Sequence, residues 1–443
     1  MRWEELLSDQ RLRDPKYVEG KTRSIFVQDH DRIVFSAPFR RLANKTQVHP
    51  LYHHDHLHHR LIHSVEVGSV GRSIAMRVGD WLIAQGALAR GEDHDLSNAV
   101  QAACAAHDIG NPPFGHSGEA AIGGWFAEGF DRGQGLLADL DAGLRDEFTA
   151  FEGNAQGFRI LAQLEMYRGD GGMRLSKGVL GAFMKYPVTA RTRAALPEET
   201  RKGYAGLKKF GVFEGERALF AEVAEGCGLP AEDGWWRRHP LVFIVEAADD
   251  ICYNIVDLED AFTSGDLPFE TVREALDALA GRPNRDTGGL TRTEHIALLR
   301  SLAIGSAIAA CTQAFIENYD AIMGGTFSKS LVDASPLAGQ FALIEGIAKD
   351  RIFTSARKTE LEVSGRQVIR NVLTGILPVF EDFARVGWDA ERLPGPSAQI
   401  VRALSLDLRD VNGPESALHA MTDFTSGMTD RYALQIARML SGL

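Results

Sequence analysis

The chain has 443 residues, 44% of them hydrophobic and 24% charged, enough apolar content to fill a large core. Sixty acidic residues against 48 basic ones leave a formal net charge of −12, which argues against general coating of nucleic acid and requires any phosphate site to be locally basic. Four cysteines stand far apart with no C-x-x-C pair, and no long uncharged apolar run occurs, so neither a disulfide framework nor a membrane span is expected.

The N-terminal stretch MRWEELLSDQRLRD is charged from its second residue and has no apolar h-region, which points to a cytoplasmic protein. HPLYHHDHLHHRLIHSVE follows, holding seven of the 14 histidines: His49, His53, His54, His56, His58, His59 and His63. From His63 onward, Val67, Val70, Ile74, Val78 and Leu82 recur at intervals of three and four, which predicts an amphipathic helix. A second apolar helix, with Val100, Ala103 and Cys104, ends at His107-Asp108 and is broken by Gly110, Pro112 and Pro113. Adjacent imidazole and carboxylate groups both offer lone pairs to a divalent ion. A helix C-cap with a solvated acid is the plainer reading of that pair alone.

Gly- and Pro-rich punctuation at 129–135, 169–172, 226–234 and 281–289 is too short for flexible linkers, and GVFEGE, residues 211–216, reads as a loop or small ribbon. Val242, Val245, Ala248, Cys252, Ile255 and Leu258 then mark one apolar helical face, and Asp249, Tyr253 and Asp257, spaced four apart, share a neighbouring one. Two carboxylates and a phenol on a half-buried stripe need partners, since desolvating an unpaired charge is costly. Asp250, Glu259 and Asp260 read as the acidic outer face. A further helical run covers Val368 to Phe380, and the whole reads as one large helical domain with a C-terminal helical subdomain.

The segments SAPFRRLANKTQV, HSVEVGSVGRSIA, HDIGNPPFGHSGE, FEGNAQGFRIL and EAADDICYNIVDLEDA, in this order, resemble the successive signatures of the bacterial deoxyguanosine triphosphate triphosphohydrolases, a family of HD-domain phosphohydrolases. KDRIFTSARKTELEVSGRQVI is similar to the family's C-terminal helical region. The resemblance implies an all-α fold, with an HD-domain helical bundle over 1–275, a metal motif spanning 63–249, and additional C-terminal helices over 276–443 packed on the core. It implies metal-dependent hydrolysis of a deoxynucleoside triphosphate, dGTP foremost, to deoxynucleoside and inorganic triphosphate by water attack at the α-phosphorus.

By the same resemblance, His63, His107, Asp108 and Asp249 fall on the four ligands of one divalent metal, Mn2+ or Mg2+ ahead of Fe2+. His116 and Glu119 fall on a catalytic pair in which the imidazole protonates the departing 5′-oxygen and the carboxylate orients it. Arg60, Lys185 and Lys209 are phosphate clamps, with the choice between Lys208 and Lys209 left open. Gln47 is placed beside the sugar and Asn154 is a further site residue. The Tyr253 ring excludes a 2′-hydroxyl while Asp257 accepts from the 3′-hydroxyl.

The implied partners are the nucleotide, further copies of the chain as a dimer, tetramer or hexamer, and a nucleotide or single-stranded DNA effector, with no membrane. The chain departs from the family at HHDHLHHRLIH, where many members are acidic and Arg-rich. His63 is the implied ligand there, and the other six histidines lie where the family has a polar loop near substrate, His54, His56 and His59 being the candidates for phosphate. Two rival readings share the ligand set. Cleavage of cyclic nucleotides or guanosine tetraphosphate is opposed by GNPPFGHSGE and by the Asp249–Tyr253–Asp257 spacing. A non-catalytic nucleotide-binding regulator is opposed by the complete ligand set and the His116–Glu119 pair.

Overall fold

The structure of the protein, a computed structural model, describes residues 1–14, 23–46, 58–166, 171–281, 288–352 and 356–443. The fold is all-α: among the described residues the one sheet is a two-residue antiparallel ribbon pairing Ala231–Glu232 with Trp235–Trp236. GVFEGE is not this ribbon, since Val212 makes a single bridge to Thr189 and Glu214–Glu216 is a 3-10 turn. The ribbon turns instead at Asp233 and Gly234, both at positive φ, as a two-residue hairpin demands.

The helices that matter for the site are, in chain order, α1 (Ile25–Val34), α2 (Arg60–Ala84), α3 (Glu92–Ala106), α4 (Gly115–Arg132), α5 (Pro240–Ser264), α6 (Phe269–Ala280), α7 (Arg292–Glu317), α8 (Ala356–Arg385), α9 (Pro414–Gly427) and α10 (Asp430–Leu440). In α2 every residue of the predicted apolar face, Val67 through Leu82, is buried, each such side chain stabilising the fold by about 1.5–3 kcal/mol. The α2 and α3 helices pack closely because Gly71 faces Cys104, whose Sγ would lie 2.5 Å from an added Cβ. The α5 helix starts with Pro240, is capped by the His239 imidazole accepting the Leu241 N–H at 3.1 Å, and stops at Gly265 in the left-handed conformation.

Among the described residues, buried apolar side chains form two clusters. The first gathers α1, α2, α3, α5, α6 and α7, and the second gathers α4, α8, α9 and α10. Residues 275 and 276, where the expected core ends and the C-terminal region begins, both lie inside α6, which packs with α7 into the first cluster. Among the described residues one helix, α7, is long and apolar enough by composition to cross a membrane, and its Leu299, Ala303, Ala307, Cys311 and Phe315 are buried in that cluster. All four cysteines are free and buried.

Candidate functional site

A cavity of about 320 Å³ opens where the two clusters meet. The first cluster's helices contribute His63 and Asp249 to its lining, with His107 and Asp108 at the end of α3. The second cluster's side contributes His116, Glu119, Asn154 and Lys209.

His63 sits in the first turn of α2, with Nε2 3.0 Å from Asp249 Oδ1. His107 Nε2 lies 3.6 Å from the same oxygen, and the two imidazole centroids are 5.2 Å apart. The Cys104 carbonyl, 2.7 Å from His107 Nδ1, can only accept, so Nδ1 carries a proton and Nε2 is the nitrogen left facing the site. That buried Nε2 has no hydrogen-bond partner among the described residues. Donor atoms of His63, His107 and Asp249 lie within 4.8 Å of one another, and an orphaned imidazole nitrogen facing a carboxylate fits a divalent cation. Burial would push the Asp249 carboxyl up, but His107 and His63 outweigh it and hold the pKa well below the usual carboxylate range.

Asp108, the fourth expected ligand, stands apart from this triad. Its Oδ2 accepts from Arg60 at 2.6 Å, its Oδ1 accepts from the Asn111 amide, and His107 Nε2 is 3.6 Å away. Against the cost of burial, Arg60 and the two imidazoles keep it ionised.

Across the cavity, His116 Nδ1 donates to Glu119 Oε2 at 2.7 Å. The His116 side chain is 87% exposed, whereas that of Glu119 is 10% exposed. Glu119 Oε1 also accepts the Gly153 N–H at 2.8 Å. A Cβ on Gly153 would come within 2.3 Å of Asn111 Oδ1, so only glycine lets this loop approach. Burial raises the Glu119 pKa, but the His116 hydrogen bond, His116 and Lys209 charges and the Gly153 N–H together bring it below its ordinary value.

All three expected phosphate cations line the cavity, each already paired with a carboxylate. Arg60 holds Asp108, Lys185 lies 3.3 Å from Glu246, and Lys209 donates to Glu152 at 2.8 Å. Lys209 rather than Lys208 faces the site, since Lys208 is exposed and outside the lining. Burial pushes the Glu152 carboxyl up to about 7 despite the pull of Lys209. Asn154 and Tyr253 line the cavity, while Asp257, one turn beyond Tyr253, is buried and not part of the lining.

Gln47, His49, His53, His54 and His56 lie outside the described residues. His59 occupies the N-cap of α2 and is not among the lining residues. His58 is gripped by Asp260 at 2.8 Å and Glu66 at 3.4 Å, and these hydrogen bonds, Asp260 first, push its pKa up to about 10. Asp260 is therefore a buried anchor and not part of an acidic outer face. Sequence reasoning also passed over Glu152 and Glu246. They lie in the FEGNAQ and EAADD segments, but the lysines that pair with them are remote in sequence, Lys209 by 57 residues.

The helical architecture, the His63/His107/Asp249 triad and the adjoining His116–Glu119 pair define an HD-domain protein: the family model described as HD domain matches residues 60–140. A protein of Pseudomonas aeruginosa called deoxyguanosinetriphosphate triphosphohydrolase-like is 39% identical, the alignment covering 100% of this chain and 99% of that one. One of the same description from Synechocystis is 37% identical with 100% of both chains covered. A deoxyguanosinetriphosphate triphosphohydrolase of Salmonella arizonae is 31% identical over 97% of this chain and 96% of its own length. The chain belongs to this family of deoxyguanosinetriphosphate triphosphohydrolase-like HD-domain proteins.

Proposed function

We propose that the protein hydrolyses deoxynucleoside triphosphates, dGTP among them, to the deoxynucleoside and inorganic triphosphate. The observation that carries this reading is a single cavity in which the His63/His107/Asp249 triad, with an orphaned imidazole nitrogen, adjoins a His–Glu pair. His63, His107 and Asp249 would hold the divalent ion, with Asp108, now on Arg60, as the fourth candidate ligand. Bound there, Mn2+ or Mg2+ supplies Lewis-acid polarisation of the α-phosphate and a lowered pKa for the attacking water.

Water attacks the α-phosphorus, the bond from phosphorus to the 5′-oxygen breaks, and triphosphate departs with the water's oxygen. His116 gives its proton to the 5′-oxygen, while Glu119, held by Gly153, keeps the imidazole oriented. Arg60, Lys185 and Lys209 receive the phosphate charge, which requires their carboxylate partners to yield; a Glu152 with a pKa of about 7 does so by taking up a proton. The Tyr253 ring stands against the 2′ position, with Asp257 behind it. Assembly into a homo-oligomer belongs to the same reading and is supported by Ile62, Val65 and Met76, which are exposed along α2; light scattering tests it.

The test is a product assay. Metal-loaded protein is mixed with each deoxynucleoside triphosphate alone and with all four together. Triphosphate and free deoxynucleoside are expected in equal amounts. Pyrophosphate, orthophosphate or no product would sink the reading, and cleavage only in the mixture would point to activation by a second nucleotide.

A further inference from the structure

The turn that delivers His116 to the cavity is held by a residue from the far end of the chain. Phe114, two positions before His116, has φ of +64°, a left-handed conformation that L-residues adopt only when something holds them there. Asp430, the first residue of α10 and 2% exposed, accepts the Phe114 N–H with Oδ1 at 3.0 Å. Its Oδ2 accepts the Thr46 N–H at 3.1 Å and also the Thr46 hydroxyl. The same loop is tied from its other end, where the buried Lys45 Nζ donates to the Asn111 carbonyl at 2.6 Å and the Ser426 carbonyl at 2.7 Å. Gly115 completes the turn at φ +57°, with Arg60 Nη2 2.7 Å from where a Cβ would stand, so a small shift of the turn strikes the Arg60–Asp108 pair.

From these contacts we infer that Asp430 is a positioning residue for the reaction, fixing the Phe114 turn so that His116 meets the substrate. This inference rests on the function proposed above. A carboxylate suits the task because it has two oxygens and three donors to satisfy, all backbone or hydroxyl groups of two separate segments. The α10 helix does not line the cavity; Asp430 reaches it through hydrogen bonds to Phe114 and Thr46 and through its charge, which bears on Arg60.

Full-length Asp430→Asn and Asp430→Ala are compared with wild type for kcat, KM and bound metal, and by amide exchange of the segment from 111 to 117. In Asp430→Ala, kcat is expected to fall about 10²-fold, as misplacement of a reacting group by about an ångström does, while KM and metal content hold. Exchange of Phe114 and Gly115 quickens while α2 and α5 stay protected. Asp430→Asn keeps one acceptor oxygen and is expected to recover part of the loss; it also serves if the Ala variant does not fold. A kcat within about twofold of wild type in both variants, or a parallel loss of kcat and metal, overturns the inference. Should wild type release no triphosphate from any deoxynucleotide, the functional reading has failed instead. The exchange measurement then judges the clamp, and unchanged Phe114 protection overturns it.

Discussion

The two sides of the cavity are built by opposite means. His63 and Asp249 project from long helices, α2 and α5, whose expected apolar positions, Val67 to Leu82 and Val242 to Leu258, are all buried, and the His63 side chain is 3% exposed. His116 and Glu119 stand instead in the first turn of α4, just after a left-handed turn, with one side chain almost free in solvent and the other anchored. Donors that must converge on one cation gain from rigid placement, because each ångström of drift weakens every bond to the ion. A proton donor has to follow a leaving oxygen, so its turn and its orienting carboxylate are held while the exposed ring keeps room to move. The seam between clusters therefore joins a fixed half to an adjustable half.

The largest expected effects separate these halves. His63→Ala leaves the half-buried Asp249 carboxylate without its 3.0 Å partner, so both bound metal and turnover are expected to vanish. His116→Ala is expected to keep the metal and lose about 10²- to 10⁴-fold in kcat. Elemental analysis of both purified variants beside their rates checks the division. Loss of metal from His116→Ala would show the halves to be a single unit.

The fixed half was largely legible in the sequence, because helical periodicity is a local signal. Every apolar position expected on α2 from Val67 to Leu82 and on α5 from Val242 to Leu258 is buried. The family resemblance of the segments holding His63, His107-Asp108 and Asp249 pointed to the triad, although it gave no sign that Arg60 and Asn111 occupy Asp108. The adjustable half was legible only as segments. Nothing local to Lys209 announces Glu152, and nothing local to Phe114 announces Asp430, 316 residues away, since such pairings exist only once the second cluster has closed. In the histidine-rich stretch the partners are likewise non-local. His58 is spent on Asp260 and Glu66, carboxylates of two different helices that no spacing within the stretch reveals. The 275/276 boundary likewise fell inside α6, where the hydrophobic pattern runs on without a break.

A second test addresses the rigidity of the fixed half through its N-terminal cap. His239 is fully buried, Nε2 donating to the Leu6 carbonyl at 3.0 Å and Nδ1 capping α5, the helix that carries Asp249. Burial depresses its pKa to about 4. The unfolded chain takes up this proton near the ordinary value of about 6.5, whereas the folded chain resists it down to about 4, so the stability is present above that window and is lost as pH falls through it. By pH 5 the loss is about 2 kcal/mol. Urea unfolding at pH 7 and pH 5 should show wild type losing that much more than His239→Asn, which can still donate and accept but does not titrate. Equal losses in the two proteins would mean that the cap is not held neutral, and that α5 is less fixed than its packing suggests.

The smallest effect expected lies in the adjustable half and decides whether its cations are free to meet phosphate. Above pH 7 the Glu152 carboxylate, 2.8 Å from Lys209, neutralises that lysine and repels an incoming triphosphate. Below pH 7 the carboxyl takes up a proton and the lysine is available. Wild-type KM for a deoxynucleoside triphosphate is therefore expected to rise with pH through 7, and Glu152→Gln to abolish the rise. At pH 6 the two proteins should bind alike. At pH 8, about one unit above the Glu152 pKa, the Gln variant should have a KM lower by up to about tenfold, the limit if binding requires the protonated carboxyl. A KM that rises in Glu152→Gln at every pH would mean the opposite: the carboxylate supports the lysine rather than restraining it. Lys209 would then belong with the fixed half, held in place for Glu119 and His116 instead of reaching toward phosphate.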